Sequence, residues 1–542
     1  MVVLIALLAC TEPPAEPAAC VPTATWAEAD LALRSCRSCH GPTASPLSSP
    51  GDLLAAADVL PEVLADPSHG RATEGDAAAL EAWLACPTDP ESKPPTCVGT
   101  TWSGDAGPGD DPCAAGASRI EQMLTVGPLS PDLSCVCEVG GDVLLEADPD
   151  LPSLTRVGGD IRVAAGTARV DLPALVSAGG LDLGEASDLR VVRLARLEVL
   201  DSALLLRSPS LEEVDLPWLT ELPALSATEA INLRRLELPR LQTVQGDLRL
   251  TGMPYLSVLS GVSTLTWIGG DLELVGLSSW SSGGSFALSH VGGDLMIQET
   301  GLSVIEGFDE LVVVPGELSL TLNRQVTRIG GFDRLERVGE ALRVSGCDDL
   351  ERIDGFGAVS EIGLDGQVDD ETHHLRIAFS FSLAEVDAFE SLAHVGGVSV
   401  VGNEVLAAFD LPSLHTVDHE LALRNTSATV LDGFEALQAV GSLEITGHGL
   451  LEELGGLGSL VEAETVVISE NVLLQRIDGL RALERVAGDL DLQRNRDLAD
   501  LGGLRSLATV EGDVILISSP SLSDEVVDEL IARVAIGGEV LR

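Results

Sequence analysis

From residue 139 onward one short phrase recurs: Val139-Gly-Gly-Asp-Val, Val157-Gly-Gly-Asp-Ile, Val244-Gln-Gly-Asp-Leu, Ile268-Gly-Gly-Asp-Leu and Val291-Gly-Gly-Asp-Leu. Shorter or altered copies follow at Val395-Gly-Gly-Val, Val440-Gly-Ser-Leu, Val486-Ala-Gly-Asp-Leu and Val510-Glu-Gly-Asp-Val. The spacing is about 21–24 residues through most of the array, the period of a coil that stacks on its neighbours. Glycines allow the chain to turn where side chains would clash. The apolar-x-apolar triplet after each turn, such as Leu490-Asp-Leu492, alternates and predicts a short strand with one buried face. A second phrase, Leu-x-x-Φ-x-Gly-Leu/Phe-x-x-Leu (Leu498 to Leu507 is one copy), closes each coil.

Three positions after the second apolar residue of the strand, several coils carry asparagine: Asn323, Asn403, Asn471 and Asn495. An amide there can hydrogen-bond the turning backbone from inside, and cysteine is also accepted at such a site. Cys347 falls at that register, so it reads as a reduced, buried structural residue; Met253 and His448 share the position. This pattern resembles the receptor L-domain type of leucine-rich repeat found in bacterial surface lipoproteins. The resemblance covers 119–520 and implies a β-rich solenoid of sixteen to seventeen coils, roughly 80 Å long at about 4.8 Å per coil. Cys135 and Cys137 are expected to staple the first coil. Residues 521–542, including Ser523-Asp-Glu-Val-Val-Asp-Glu-Leu-Ile-Ala-Arg533, read as a capping helix and tail.

Outward strand positions include Arg162, Asp182, Arg249, Glu273, Ser319, Arg343, Ser399, Glu444 and Asp491. They are mixed in charge and lack aromatics, whereas binding surfaces favour Trp, Tyr and Arg. The sheet is therefore either a solvated face or the seat of an unspecified protein ligand. One coil is interrupted by an insertion containing Asp369-Asp-Glu-Thr-His-His374. Its carboxylates and imidazoles suit a divalent metal, although adjacent histidines on a polar loop are ordinarily just solvated.

Aromatic residues make up only 3% of the chain, which predicts cores of Leu and Val. The net charge is −53, from 85 acidic and 32 basic residues, and Lys93 is the only lysine. Such a surface repels phosphate backbones and excludes nucleic acid as a partner; anionic lipid repels it too unless a covalent anchor holds it. The start, Met-Val-Val-Leu-Ile-Ala-Leu-Leu-Ala-Cys10, is too short to span a bilayer. Its Leu7-Leu8-Ala9-Cys10 end resembles the lipobox of bacterial lipoproteins, which implies a signal segment over 1–10, lipidation of Cys10 and a tether over 11–20. The basic n-region of such signals is missing, which places the expected start upstream of Met1.

Cys36-x-x-Cys39-His40 has the spacing that attaches a c-type haem. Two thiols three residues apart can each add to one vinyl group of a porphyrin edge, and the adjoining imidazole reaches the iron as proximal ligand. Within 21–88, Thr73 can cap a helix whose Leu80, Trp83 and Leu84 form one apolar stripe. The region resembles a minimal class of bacterial c-type cytochrome and implies one covalent haem c in a small all-α domain. That family usually supplies a methionine as sixth ligand, but the four methionines are 1, 123, 253 and 296. His69 occupies the corresponding loop. It is either the distal iron ligand or a solvated histidine beside an open haem face. Residues 89–118 are rich in Pro, Gly and Asp, as linkers are.

Of the ten cysteines, Cys20, Cys86, Cys97, Cys113, Cys135 and Cys137 remain once Cys10, Cys36, Cys39 and Cys347 have roles. An even set suggests three disulfides in an oxidising compartment, Cys20 with Cys86 among them because they bracket the haem motif. The expected fold class is thus multidomain: a small all-α cytochrome c-like domain followed by a β-rich leucine-rich-repeat solenoid. The expected function is electron transfer or redox sensing, without catalysis, by an exported protein lipid-anchored at the bacterial cell envelope, on its periplasmic face or outer surface, opposite an unknown redox partner. The alternative is a non-enzymatic surface binding or adhesion lipoprotein in which Cys36 and Cys39 are structural. A dithiol redox centre is a third option, weakened by the lack of a surrounding βαβ pattern.

Overall fold

The computed structural model describes residues 97–542 apart from Glu185, Glu229, Gly284 and 364–373. They form a β-solenoid of about 18 turns over 119–541, against the sixteen to seventeen coils expected. All pairings are parallel, each strand bonded to its counterpart one coil on. The register on the main face runs unbroken from Leu248 through Leu272, Leu295, Leu318 and Leu342. It continues from Leu342 to Leu375 across the interrupted coil, and on to Val398 and Leu421. A second face holds the strands that precede the glycine turn, such as Thr243–Val244, Trp267–Ile268 and His290–Val291. Short strands such as Glu213–Asp215 and Arg235–Glu237 make a third.

The fold class is corrected by these elements. The described residues build one β-solenoid with a single α-helix, and no small all-α domain is among them. The segment 21–88, to which that domain was assigned, lies outside the described residues. A helical reading required a run of apolar residues at 3.6-residue spacing, and in the described chain only residues 524–533 supply one.

The glycine pair works by close approach rather than by a left-handed backbone. A Cβ at Gly269 would lie 1.9 Å from Gln245 O, and one at Gly292 2.0 Å from Gly269 O, so at these two positions glycine lets the turn close onto the one before it. The aspartate that follows ties the coils from outside. Asp247 Oδ1 accepts the Asp271 N–H (3.0 Å), Asp271 Oδ1 that of Asp294 (3.1 Å), and Asp294 Oδ1 that of Glu317 (2.8 Å). The same bond joins Asp489 to Asp513 and Asp513 to Glu539.

Inside, the core is mostly Leu, Val and Ile, as the composition requires, but the scarce aromatics are concentrated. Phe286, Phe308, Phe332, Phe356 and Phe389 stack in one column, with centroids 4.6, 4.7, 4.6 and 5.5 Å apart. That spacing is the rung repeat itself, so each ring covers the next and no wide gap forms at the corner. Trp280 closes the top of the column, edge-on to Phe286 at 6.3 Å.

Both ends are tied. Cys97 bonds Cys137 and Cys113 bonds Cys135, so Cys135 and Cys137 do staple the first coil; Cys20 and Cys86 lie outside the described residues. Thr100–Trp102 already pairs in parallel with Ala117–Ile120. At the other end α1 (Asp524–Arg533) begins at Ser523, whose side chain accepts the Val526 N–H. Val527 and Leu530 pack inward, and the Arg533 guanidinium donates to Leu504 O and Arg505 O, both at 2.7 Å. The chain then makes one more rung: Ala535–Ile536 pairs with Thr509–Val510 and Val540–Leu541 with Val514–Ile515.

Candidate functional site

Cys10, Cys36, Cys39, His40 and His69 all lie outside the described residues, so the expected haem and lipid positions have no geometry here. Of the insertion, Asp369 to His373 lie outside as well. His374 is described and is turned inward. Its ring occupies the slot between Gly363 and Gly396, where an added Cβ would come within 2.0 and 2.2 Å of it. Among the described residues no three His, Cys, Asp or Glu side chains converge as metal ligands do, and no helix is long and apolar enough to cross a membrane.

The internal ladder is present and longer than the asparagines alone suggested. From Thr300 onward every coil places a residue able to hydrogen-bond at this register: Thr300, Asn323, Cys347, Ser380, Asn403, Thr426, His448, Asn471, Asn495 and Ser519. Asn323 donates to Ile297 O (2.7 Å) and accepts from Thr300 N (3.1 Å) and Thr300 Oγ1 (2.8 Å). Towards the C-terminus the links join into a chain. His448 Nδ1 meets Thr426 Oγ1 at 2.9 Å, Asn471 Oδ1 accepts the His448 N–H, Asn495 Oδ1 the Asn471 N–H, and Ser519 Oγ the Asn495 N–H. Burial holds the His448 imidazole below its ordinary value, so it serves as a neutral bridge. Cys347 is free and buried, its Sγ 3.6 Å from Leu320 O, and burial pushes its thiol up to about 12, which keeps it protonated and inert.

The outward positions of the main face are spent on one another. Arg249 bonds Asp247, Asp271 and Glu273 at 3.0, 2.7 and 2.9 Å, Arg343 pairs with Glu317, and Ser319 and Ser399 are buried. On the third face Asp215 lies beside Glu237 and Glu213. Burial, then those two carboxylates, raise it to about 6, with Arg193 and Arg235 acting in the opposite direction. Both arginines are also paired with the neighbouring carboxylates, Arg193 with Glu213 at 2.9 Å and Arg235 with Glu237.

The surface that stands apart is the edge where the chain leaves the main face, one residue before each ladder position. The backbone there is left-handed in coil after coil. Glycine fills the slot at Gly252, Gly276, Gly346, Gly402 and Gly447, but Glu299, Leu322, Phe379, Asn425, Glu470, Arg494 and Ser518 hold it with φ between 52° and 62°. For a bulky side chain this backbone costs about 1–2 kcal/mol. Seven of the nine phenylalanines are buried; the two exceptions, Phe379 and Phe381, are 44% and 49% exposed on this edge. The Phe379 ring lies across Gly402, where an added Cβ would meet it at 2.8 Å. The two rings wall an open groove completed by Gly402, Glu404, Asn425, Thr426 and Gly447. The sequence reading weighed the strand positions and missed this edge. The available signal was a phenylalanine standing in a slot that neighbouring coils give to glycine.

A smaller aromatic feature lies on the second face, where exposed Trp267 stacks on His290 with centroids 3.6 Å apart. Elsewhere, the Arg240 guanidinium covers Trp218 at 3.6 Å. No protein-family model, no curated protein and no solved structure matches this chain.

Proposed function

We propose that this chain is an exported, membrane-anchored c-type haem protein acting in electron transfer or redox sensing, with the solenoid as its docking or spacing element. The observation that carries the reading is Cys36-x-x-Cys39-His40. The donor set suits the group: two thiols match the two vinyls of one porphyrin edge, and the adjoining imidazole suits the iron. When bound, such a haem supplies one-electron exchange; Cys36 and Cys39 would anchor it, His40 would hold the proximal side and His69 the distal side. Export is supported by the Cys97–Cys137 and Cys113–Cys135 bonds, which need an oxidising compartment, while Cys347 stays reduced because it is sealed in the ladder. Cys10 would carry the lipid anchor.

A second reading, a surface binding protein in which Cys36 and Cys39 are structural, is favoured by one observation: the exposed Phe379–Phe381 groove, which electron carriage does not use. Expression in a host competent for cytochrome c maturation separates the two. The haem reading expects a reduced α-band near about 550 nm that survives acid–acetone extraction and disappears in the Cys36→Ala/Cys39→Ala variant. Colourless protein whose mass equals bare polypeptide, with or without lipid, overturns it.

A further inference from the structure

We propose that the left-handed edge beside the ladder is a docking groove for a basic polypeptide segment that also carries apolar side chains, seated on Phe379 and Phe381 and met by Glu404. Three independent features point there. First, Tyr255, Leu322, Phe379, Phe381, Val405 and Leu450 are exposed large apolar residues on this edge, within two residues of the ladder, while others such as Val199, Trp267 and Val313 lie on the second face. Phe379 and Phe381, exposed together on one coil and walling one groove, make the apolar patch that marks an interaction surface. Second, Phe379 keeps a left-handed backbone that glycine supplies without strain at Gly346 and Gly402 on either side. Six other non-glycine residues on this edge hold the same backbone, and Phe379 is the one among them that places an aromatic ring in the open there.

Third, charge selects the occupant. The groove contains no basic side chain, and Glu404 forms no ion pair among the described residues. The chain as a whole carries −53, so a second copy, an anionic lipid surface or a nucleic acid is repelled. A cationic partner is steered towards the edge, and ring faces attract ammonium and guanidinium groups as a carboxylate does. Phe381 and Val405 stand on adjacent coils, one rung apart, so a segment laid along the edge reaches both.

The test uses the full chain and a dye-labelled peptide of alternating arginine and leucine, read by fluorescence anisotropy. Alternating glutamate and leucine, and arginine alone, serve as comparison peptides. The arginine–leucine peptide is expected to bind, to weaken about tenfold in Phe379→Gly/Phe381→Ser, and to weaken severalfold in Glu404→Gln. Phe379→Gly relieves the backbone, so amide protection of the Leu375–Ala378 and Val398–Val401 strands in hydrogen exchange is expected no lower than in the parent, and lost binding then cannot be lost folding. The proposal is overturned if the arginine–leucine peptide fails to bind, or if arginine alone binds as well and ignores the phenylalanine substitutions. Equal binding of the glutamate–leucine peptide overturns it too, as does self-association abolished by Phe381→Ser. The same measurement on Cys36→Ala/Cys39→Ala protein is expected to give the parent affinity, so this result stands or falls apart from the haem reading.

Discussion

Replacing Asn495 with alanine tests whether the internal ladder, rather than apolar burial alone, holds the C-terminal coils together. Its side chain is 0% exposed, donates to Ile468 O at 2.6 Å and Leu492 O at 2.9 Å, and accepts the Asn471 N–H at 3.0 Å. Alanine removes three hydrogen bonds in a dry interior and leaves Ile468 O and the Asn471 N–H without these partners, while Leu492 O keeps the bond from Ser519 Oγ at 3.0 Å. At about 1 kcal/mol for each lost bond, plus about 1 kcal/mol for the vacated space, the expected loss is about 3–5 kcal/mol. Cysteine at the same position should cost less, about 1–2 kcal/mol, because Cys347 shows that a thiol fits this register. A repeat array loses structure coil by coil, so a single melting temperature is a poor readout. Residue-resolved hydrogen exchange is the suitable assay. Protection should fall at the Asn471 and His448 amides, which the ladder oxygens receive, and stay unchanged at Leu248 and Leu272 many coils away. A loss below about 1 kcal/mol, with Asn471 protection intact, would falsify the ladder argument.

Asp215 gives the pH prediction. Its folded value of about 6 lies above the ordinary 3.8, so the folded state holds the proton more tightly than the unfolded chain does. Stability is unpenalised below about pH 4 and declines as pH rises through 6, by roughly 2–3 kcal/mol once the group is fully ionised. Asp215→Asn should therefore stabilise the protein at pH 7 and make little difference at pH 4; an equal effect at both pH values refutes the assignment. Cys347, protonated and sealed, should resist iodoacetamide in native protein at pH 8 and react fully in urea, as followed by mass spectrometry. Rapid native labelling would show that the ladder opens.

Much of the solenoid was legible because its devices are one-dimensional. The Gly-Gly-Asp turn, the alternating triplet and the asparagine slot each recur at fixed offsets, and parallel stacking converts an offset into a column. Cys347 and His448 could be placed at the ladder from spacing, and the segment from Ser523 to Arg533 could be read as a helix from its own neighbourhood. The phenylalanine column was half visible: the Gly-Phe phrases mark the corner, but low aromatic content argued for a purely aliphatic core. The exposed edge was missed for a different reason. Nothing in Phe379 itself signals a positive φ, and the outward strand positions drew attention away from the turn beside them.

What the sequence alone determined is the period, and with it the parallel coil and the inward and outward sets. Those depend on residue order within one coil. What only the tertiary structure decided is which partners those residues meet in other coils. It paired Cys97 with Cys137 and Cys113 with Cys135, and it brought Asp215 against Glu237. It turned His374 into a glycine slot and aligned Phe379 with residues of the following coils along one edge. Apart from His374 against Gly363, each is a contact between residues about one period or more apart, and its energy depends on distances that stacking sets.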